Sequence, residues 1–258
     1  MTKIVRYGLI ALSALQIVLA IGFYRQLPFA ARLGPFEGTT PLTYIFLSSI
    51  FAAAATSTLW VAARQEYGAL AGIGLDYLAI LIPVSVFAFQ LGAATGNPQL
   101  TAFGAFCVLG AVYGLGLLVW SRRFPLDRSL PLPAPVKSSF VLFVGALLIL
   151  SGLLILRVPN VIPWTITPDL SVIIGWMFAG AAAYFIYALL RPGWLNAAGQ
   201  LAGFLVYDLV LIVPFLTRLP AVAPEFRLGL IVYTAFVIYS GLLAGYYLFV
   251  RRPKRVVA

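Results

Sequence analysis

The sequence predicts an all-α integral membrane protein, eight transmembrane helices built as two parallel four-helix repeats from a tandem duplication. Three observations predict it. The chain is 62% hydrophobic and only 9% charged, whereas a soluble domain carries about a quarter charged residues. Eight continuous apolar runs lie near 7–24, 42–63, 69–90, 101–120, 138–156, 170–190, 198–216 and 228–250, each close to the ~20 residues that cross a ~30 Å hydrocarbon core. The stretch AGIGLDYLAILIP at 71–83 returns as AGFLVYDLVLIVP at 202–214, an offset of 131. Barrel strands would be ~10 residues long and alternating, so the continuous runs are helices.

Span 1 opens the chain with basic Lys3 and Arg6 before an apolar run, as a signal peptide would. Its length and the matches of Arg6 to Lys137 and Pro28 to Pro159, at the same offset of 131, argue for a retained helix with span 5 as its counterpart. The loop that follows, LPFAARLGPFEGTTP, corresponds to VPNVIPWTITP in the second half. Both carry Pro-aromatic in the middle (Pro35-Phe36, Pro163-Trp164) and end in Thr-Pro (Thr40-Pro41, Thr167-Pro168). Thr before Pro is a helix start, and the aromatic is expected at headgroup level.

Spans 2 and 6 share FAAAATSTLWVAAR at 51–64 and FAGAAAYFIYALLR at 178–191, at an offset of 127. Small residues let helices approach closely in lipid, and Thr56, Ser57 and Thr58 add hydroxyls that bond back to the helix or across to a neighbour. Four extra residues after Arg191, PGWLNAAG against QEYG, restore the offset to 131 for spans 3 and 7. Spans 4 and 8 match through Gly110 and Gly114 against Gly241 and Gly245, the small-xxx-small pattern that seats one helix against another. The segmentation is thus a first repeat at 1–121, a Pro-rich linker at 122–137, a second repeat at 138–250 and a basic tail at 251–258. Four spans per repeat give both halves one orientation, with a pseudo-symmetry axis along the membrane normal.

The net charge of +10 is a topology signal. Twelve of the 17 basic residues fall on the side of the termini: Lys3, Arg6, Arg64, Arg122, Arg123, Arg128, Lys137, Arg191, Arg251, Arg252, Lys254 and Arg255. Arg25, Arg32, Arg157, Arg218 and Arg227 fall on the other. The positive-inside bias then places both termini in the cytoplasm, in a bacterial-type plasma membrane, and makes membrane lipid rather than nucleic acid the partner of the basic tail. Histidine is absent and Cys107 is the single cysteine, so no intramolecular disulfide, no metal or haem site built on His or paired Cys and no Ser-His or Cys-His pair is available. No membrane-depth lysine exists for a retinal Schiff base and no glycine-rich phosphate loop occurs. No catalytic residue, metal or cofactor is assigned, and an enzyme is not expected. Cys107, among Phe106, Val108 and Leu109, is a small apolar filler.

The candidate site rests on Asp76 and Asp208, the two carboxylates well inside apolar spans, with their neighbours Tyr77 and Tyr207 and the downstream Pro83 and Pro214. An ionised carboxylate at mid-bilayer costs about 2.5–3.5 kcal/mol on insertion scales, and no helix-borne Lys, Arg or His offers a counter-ion. Each proline frees a carbonyl one turn back, near residues 79 and 210, and can kink its helix. Acid, freed carbonyl and kink together suit a proton or small cation. The alternative is a lock, with a neutral carboxyl bonded to a neighbouring helix. The order Asp76-Tyr77 is reversed in Tyr207-Asp208, which turns the carboxyl by about 100° around its helix. Gln90, Ser48, Ser49 and Ser85 are further membrane-depth polar groups. Two functions stay open. One is a small-solute or ion permease, proton-coupled through the aspartates between the repeats. The other is a non-catalytic accessory subunit or lipid-binding scaffold that works with other membrane subunits.

Overall fold

The computed structural model describes residues 2–36, 38–126 and 129–251. Glu37, Asp127, Arg128 and the tail from Arg252 onward, including its proposed lipid contact, lie outside the described residues. No strand occurs among the described residues. The helices are α1 (Thr2–Tyr24), a single turn α2 (Pro28–Ala31), α3 (Pro41–Arg64), α4 (Leu70–Thr95), α5 (Pro98–Ser121), α6 (Ala134–Ile155), α7 (Pro168–Leu190), α8 (Trp194–Arg218) and α9 (Pro224–Gly245). A 3-10 turn at Tyr67–Ala69 leads into α4, and a π turn at Tyr246–Val250 continues α9. Eight of these helices are long and apolar enough to cross a membrane.

Local signals explain where the helices begin and end. Proline sits in the first turn of α2, α3, α5, α6, α7 and α9, where its missing N–H costs nothing. The Thr-Pro starts open α3 and α7; Thr167 Oγ1 accepts from Leu170 N at 3.2 Å, while Thr40 turns to Thr43 Oγ1 at 3.4 Å instead. Helix α4 stops at Gly96, φ 69°, and one residue later Asn97 Oδ1 accepts from Gln99 N at 2.9 Å to start α5. The ends of α1 and α6 carry the same cap at the offset of 131. Gln26 (φ 52°) and Arg157 (φ 58°) are left-handed. Around them Leu27 N donates to Gly22 O and Val158 N to Leu153 O, at 2.8 and 2.9 Å, a Schellman closure on non-glycine residues.

Helices α3, α4, α7 and α8 are the inner ones, with 39–56% of their membrane windows buried, against 22–33% for α1, α5, α6 and α9. Each inner helix packs on one outer helix of its own half: α3 on α1, α4 on α5, α7 on α6 and α8 on α9. Each also packs on an inner helix of the other half, α3 on α8 and α4 on α7, while the sequence neighbours α3 and α4, or α7 and α8, barely touch. Exchanging the halves maps this set of pairs onto itself. The halves are therefore segments of chain rather than separate bodies, and one apolar cluster, from Leu42 and Val84 through Phe140 and Phe185 to Leu211 and Val237, runs through both.

Large rings fill the space between helix pairs. Phe46 of α3 meets Phe178, Tyr207 and Trp164 at ring-centroid distances of 5.6, 6.2 and 5.7 Å. Trp164 is only 4% exposed and also meets Phe215 at 6.2 Å, so its ring is packed into the bundle. Phe36 likewise turns inward onto Phe87 and Phe103. The loops fold these rings back because bundle interior offers more apolar contact than the interface does. The linker packs too: Leu130 O accepts from Trp194 N at 2.9 Å and Leu126 lies against Gly68.

Candidate functional site

The start of α1 and the end of α9 mark the near side, and the end of α1 and the start of α9 the far side. Asp76 lies six residues into α4 from its near-side end, about 9 Å at 1.5 Å per residue. Its carboxyl rests on α7, where Gly180 makes room: a Cβ there would stand 2.5 Å from Asp76 Oδ1. One turn along α7, the ring of Tyr184 covers Gly72 of α4, where a Cβ would stand 2.5 Å from Cδ2. The Tyr184 hydroxyl is buried and makes no well-formed hydrogen bond among the described residues, although it lies beside Ser57 of α3 and within electrostatic reach of Asp76. Ser57 in turn abuts Gly203 of α8. All four inner helices thus meet around a carboxyl and two hydroxyls, and Asp76 has no hydrogen-bond or ion-pair partner among the described residues.

Tyr77, the next residue, turns to the outer helices of its own half. Its hydroxyl accepts from Gln16 Nε2 of α1 at 2.7 Å, and its ring lies 5.9 Å from that of Tyr113 on α5. Gln16 is 7% exposed and its Oε1 has no partner among the described residues.

Asp208 occupies a different contact. It is 3% exposed, faces α9, and accepts through Oδ2 from Ser240 Oγ at 2.8 Å; Oδ1 is buried without a partner among the described residues. A Cβ on Gly241 would stand 3.4 Å from the Asp208 Cβ, so the glycine brings α9 up to the acid. Tyr207 bonds through its hydroxyl to Tyr233 on α9 and lays its ring by Phe46. The two aspartates therefore do not share one site. Asp76 lies between the halves, and Asp208 lies within the second half. Helices α4 and α8 run unbroken through Pro83 and Pro214.

The paired glycines also differ. Gly114 approaches Gly74 so closely that a Cβ on Gly74 would stand 2.6 Å from Gly114 O, and Gly110 meets Leu81. Gly245 has nothing within 4 Å of where its Cβ would be.

Sequence reasoning missed Gln16, Tyr184, Tyr233 and Ser240 and read Ser57 only as a packing hydroxyl. Gln16 carried a visible signal, a glutamine in the middle of span 1. Tyr184 carried one as well, since it matches Ser57 at the offset of 127. Among the described residues no three His, Cys, Asp or Glu cluster as a metal site would require. Chemically the meeting point of the inner helices can exchange or share a proton among three oxygen groups, or offer them to a small cation.

Comparison with protein-family models, curated proteins and solved structures finds no match. The functional reading therefore stands on this geometry alone.

Proposed function

We propose that the protein is a proton or small-cation permease with a single titrating carboxyl, Asp76, and that Asp208 is a structural lock. The observation that carries this reading is the position of Asp76. It is a half-buried carboxyl with no hydrogen-bond or ion-pair partner among the described residues, set where the four inner helices of both halves converge, beside the Tyr184 hydroxyl. A carboxyl without a counter-ion at membrane depth is costly, and in a membrane span such a group is by default a functional one. The helix pairs have a two-fold arrangement, with contacts across the halves at α3–α8 and α4–α7, as in transporters built from repeats around a central site. On the charge distribution, the near side is the cytoplasm and the host a bacterial-type plasma membrane.

The rival reading, an accessory subunit or lipid-binding scaffold among other membrane subunits, draws on Phe46, Trp164, Phe178 and Tyr207. Their rings pack across the far half of the seam where a permease would open. Proton flux into proteoliposomes under a pH gradient separates the two. Flux above empty liposomes that is lost in Asp76→Asn and kept in Asp208→Asn supports the permease. No flux from folded wild-type protein sinks it and leaves the scaffold.

A further inference from the structure

On the membrane-facing side of α1, α3 and α8 lies an open groove of about 460 Å³, within the ~300–1,000 Å³ range of small-molecule sites. Ile17, Ala20 and Ile21 of α1 form one wall and Val206 and Val210 of α8 the other. Its floor is one face of α3: Ser48, Ala52 and Thr56, spaced four residues apart. These small side chains are why the floor is low. Thr56 Oγ1 donates to Ala52 O at 2.8 Å, so its hydroxyl is spent on the helix and its methyl is free for the groove. At the far-side end stand Tyr24 and Arg25, the last residue of α1 and the one after it.

Arg25 is the only charged group on the groove and makes no ion pair among the described residues. It is held in place by the Schellman cap just beyond it, in which Gln26 N donates to Phe23 O at 3.0 Å and Leu27 N to Gly22 O at 2.8 Å. Phe29 and Ala30 of α2 close on Gly22 and brace the same turn. From Arg25 back to Ile17 the groove runs eight residues, about 12 Å along the helix. That fits inside one leaflet, half of a ~30 Å core. An apolar slot one leaflet deep, with a tyrosine and an unpaired arginine at headgroup level, has the layout of a phospholipid site.

We propose that the groove holds an acyl chain of one anionic phospholipid of the far-side leaflet, with the phosphate on Arg25. The guanidinium takes a phosphate through two parallel N–H donors, and a headgroup with a net negative charge leaves the arginine better compensated than a zwitterionic one. This site is independent of Asp76 and stands whether or not the protein transports.

The test uses the full-length protein in detergent, titrated with dioleoyl phosphatidylglycerol or dioleoyl phosphatidylcholine. Native mass spectrometry counts bound lipid, and thermal unfolding reads stabilisation. One phosphatidylglycerol should persist at activation energies that strip phosphatidylcholine, and it should raise the unfolding midpoint more. Arg25→Gln should abolish the preference between the two lipids. Ile21→Trp, at a wall position 56% exposed and so safe for folding, should cut retained phosphatidylglycerol several-fold. Equal retention of the two lipids by wild-type protein overturns the proposal. So does retention by both variants at the wild-type level, or a retained species that is a free fatty acid without phosphate.

Discussion

Gly72 of α4 lies directly beneath the ring of Tyr184 on α7, and Gly203 of α8 lies against Ser57 of α3. Residues 72 and 203 match at the offset of 131, and 57 and 184 at that of 127. The same backbone niche thus recurs on both sides of the seam, filled once by a tyrosine and once by a serine. The bulkier filling is the one that brings a hydroxyl toward Asp76. A methyl at Gly72 would stand 2.5 Å from the Tyr184 ring, and overpacking of this kind costs about 1–3 kcal/mol. Gly72→Ala should therefore lower thermal stability markedly. Adding Tyr184→Ser, which supplies the residue found at the equivalent place, should recover most of that loss. A double-mutant cycle on unfolding midpoints checks it, and additive effects would refute the contact.

The bond between Asp208 and Ser240 predicts a purely structural phenotype. Ser240 Oγ reaches Asp208 Oδ2 at 2.8 Å while Oδ1 is already unpartnered, so removing the hydroxyl leaves the carboxyl with nothing. Hydrogen bonds between membrane helices average about 0.6 kcal/mol and reach about 1.7. Ser240→Ala should cost about that much in unfolding free energy and leave proton flux at the wild-type level. A loss of flux without a loss of stability would move Asp208 into the transport site.

These two contacts show how far the sequence could be read. Hydropathy marks the spans because lipid selects on average polarity, and Thr40-Pro41 and Thr167-Pro168 mark helix starts because a proline in the first turn is a local signal. The reversal of Asp76-Tyr77 into Tyr207-Asp208 is also visible, with its turn of about 100°. What a single sequence does not encode is which neighbour lies at the end of that turn. Asp76 meets Gly180 across the seam, and Asp208 meets Ser240 inside its own half. Tyr184 looks like any packing aromatic until α4 is laid against α7. Trp164 shows its aromatic type and its loop in the sequence, but not that its ring packs on Phe46 of another helix.

Glycines that match at the offset of 131 should not behave alike. Gly114 packs against Gly74 and the Tyr77 Cβ, which would stand 2.8 Å from a new methyl. Gly114→Ala should force α5 away from α4 and destabilise by about 1–3 kcal/mol. Gly245 faces open space, and alanine is a better helix former than glycine by about 0.8–1.0 kcal/mol in a helix interior. Gly245→Ala should therefore be neutral or slightly stabilising. Equal losses in the two variants, measured by thermal unfolding in one detergent, would show that α8 and α9 close more tightly than their geometry indicates.

Removing one oxygen from the seam isolates chemistry from packing. Tyr184→Phe keeps the ring over Gly72 and deletes the hydroxyl beside Asp76 and Ser57. Because that hydroxyl is buried without a well-formed bond, its loss should cost no stability and should slightly raise the unfolding midpoint. If the hydroxyl relays a proton to Asp76, a positioned acid–base group is worth about 10²–10⁴-fold in rate, and flux in proteoliposomes should fall by at least tenfold. Tyr77→Phe is the control. It breaks the 2.7 Å bond to Gln16 on the side away from α7, so it should lower stability and spare flux. Flux retained in Tyr184→Phe and lost in Tyr77→Phe would place the proton path along α1 and α5 instead of the seam between the halves.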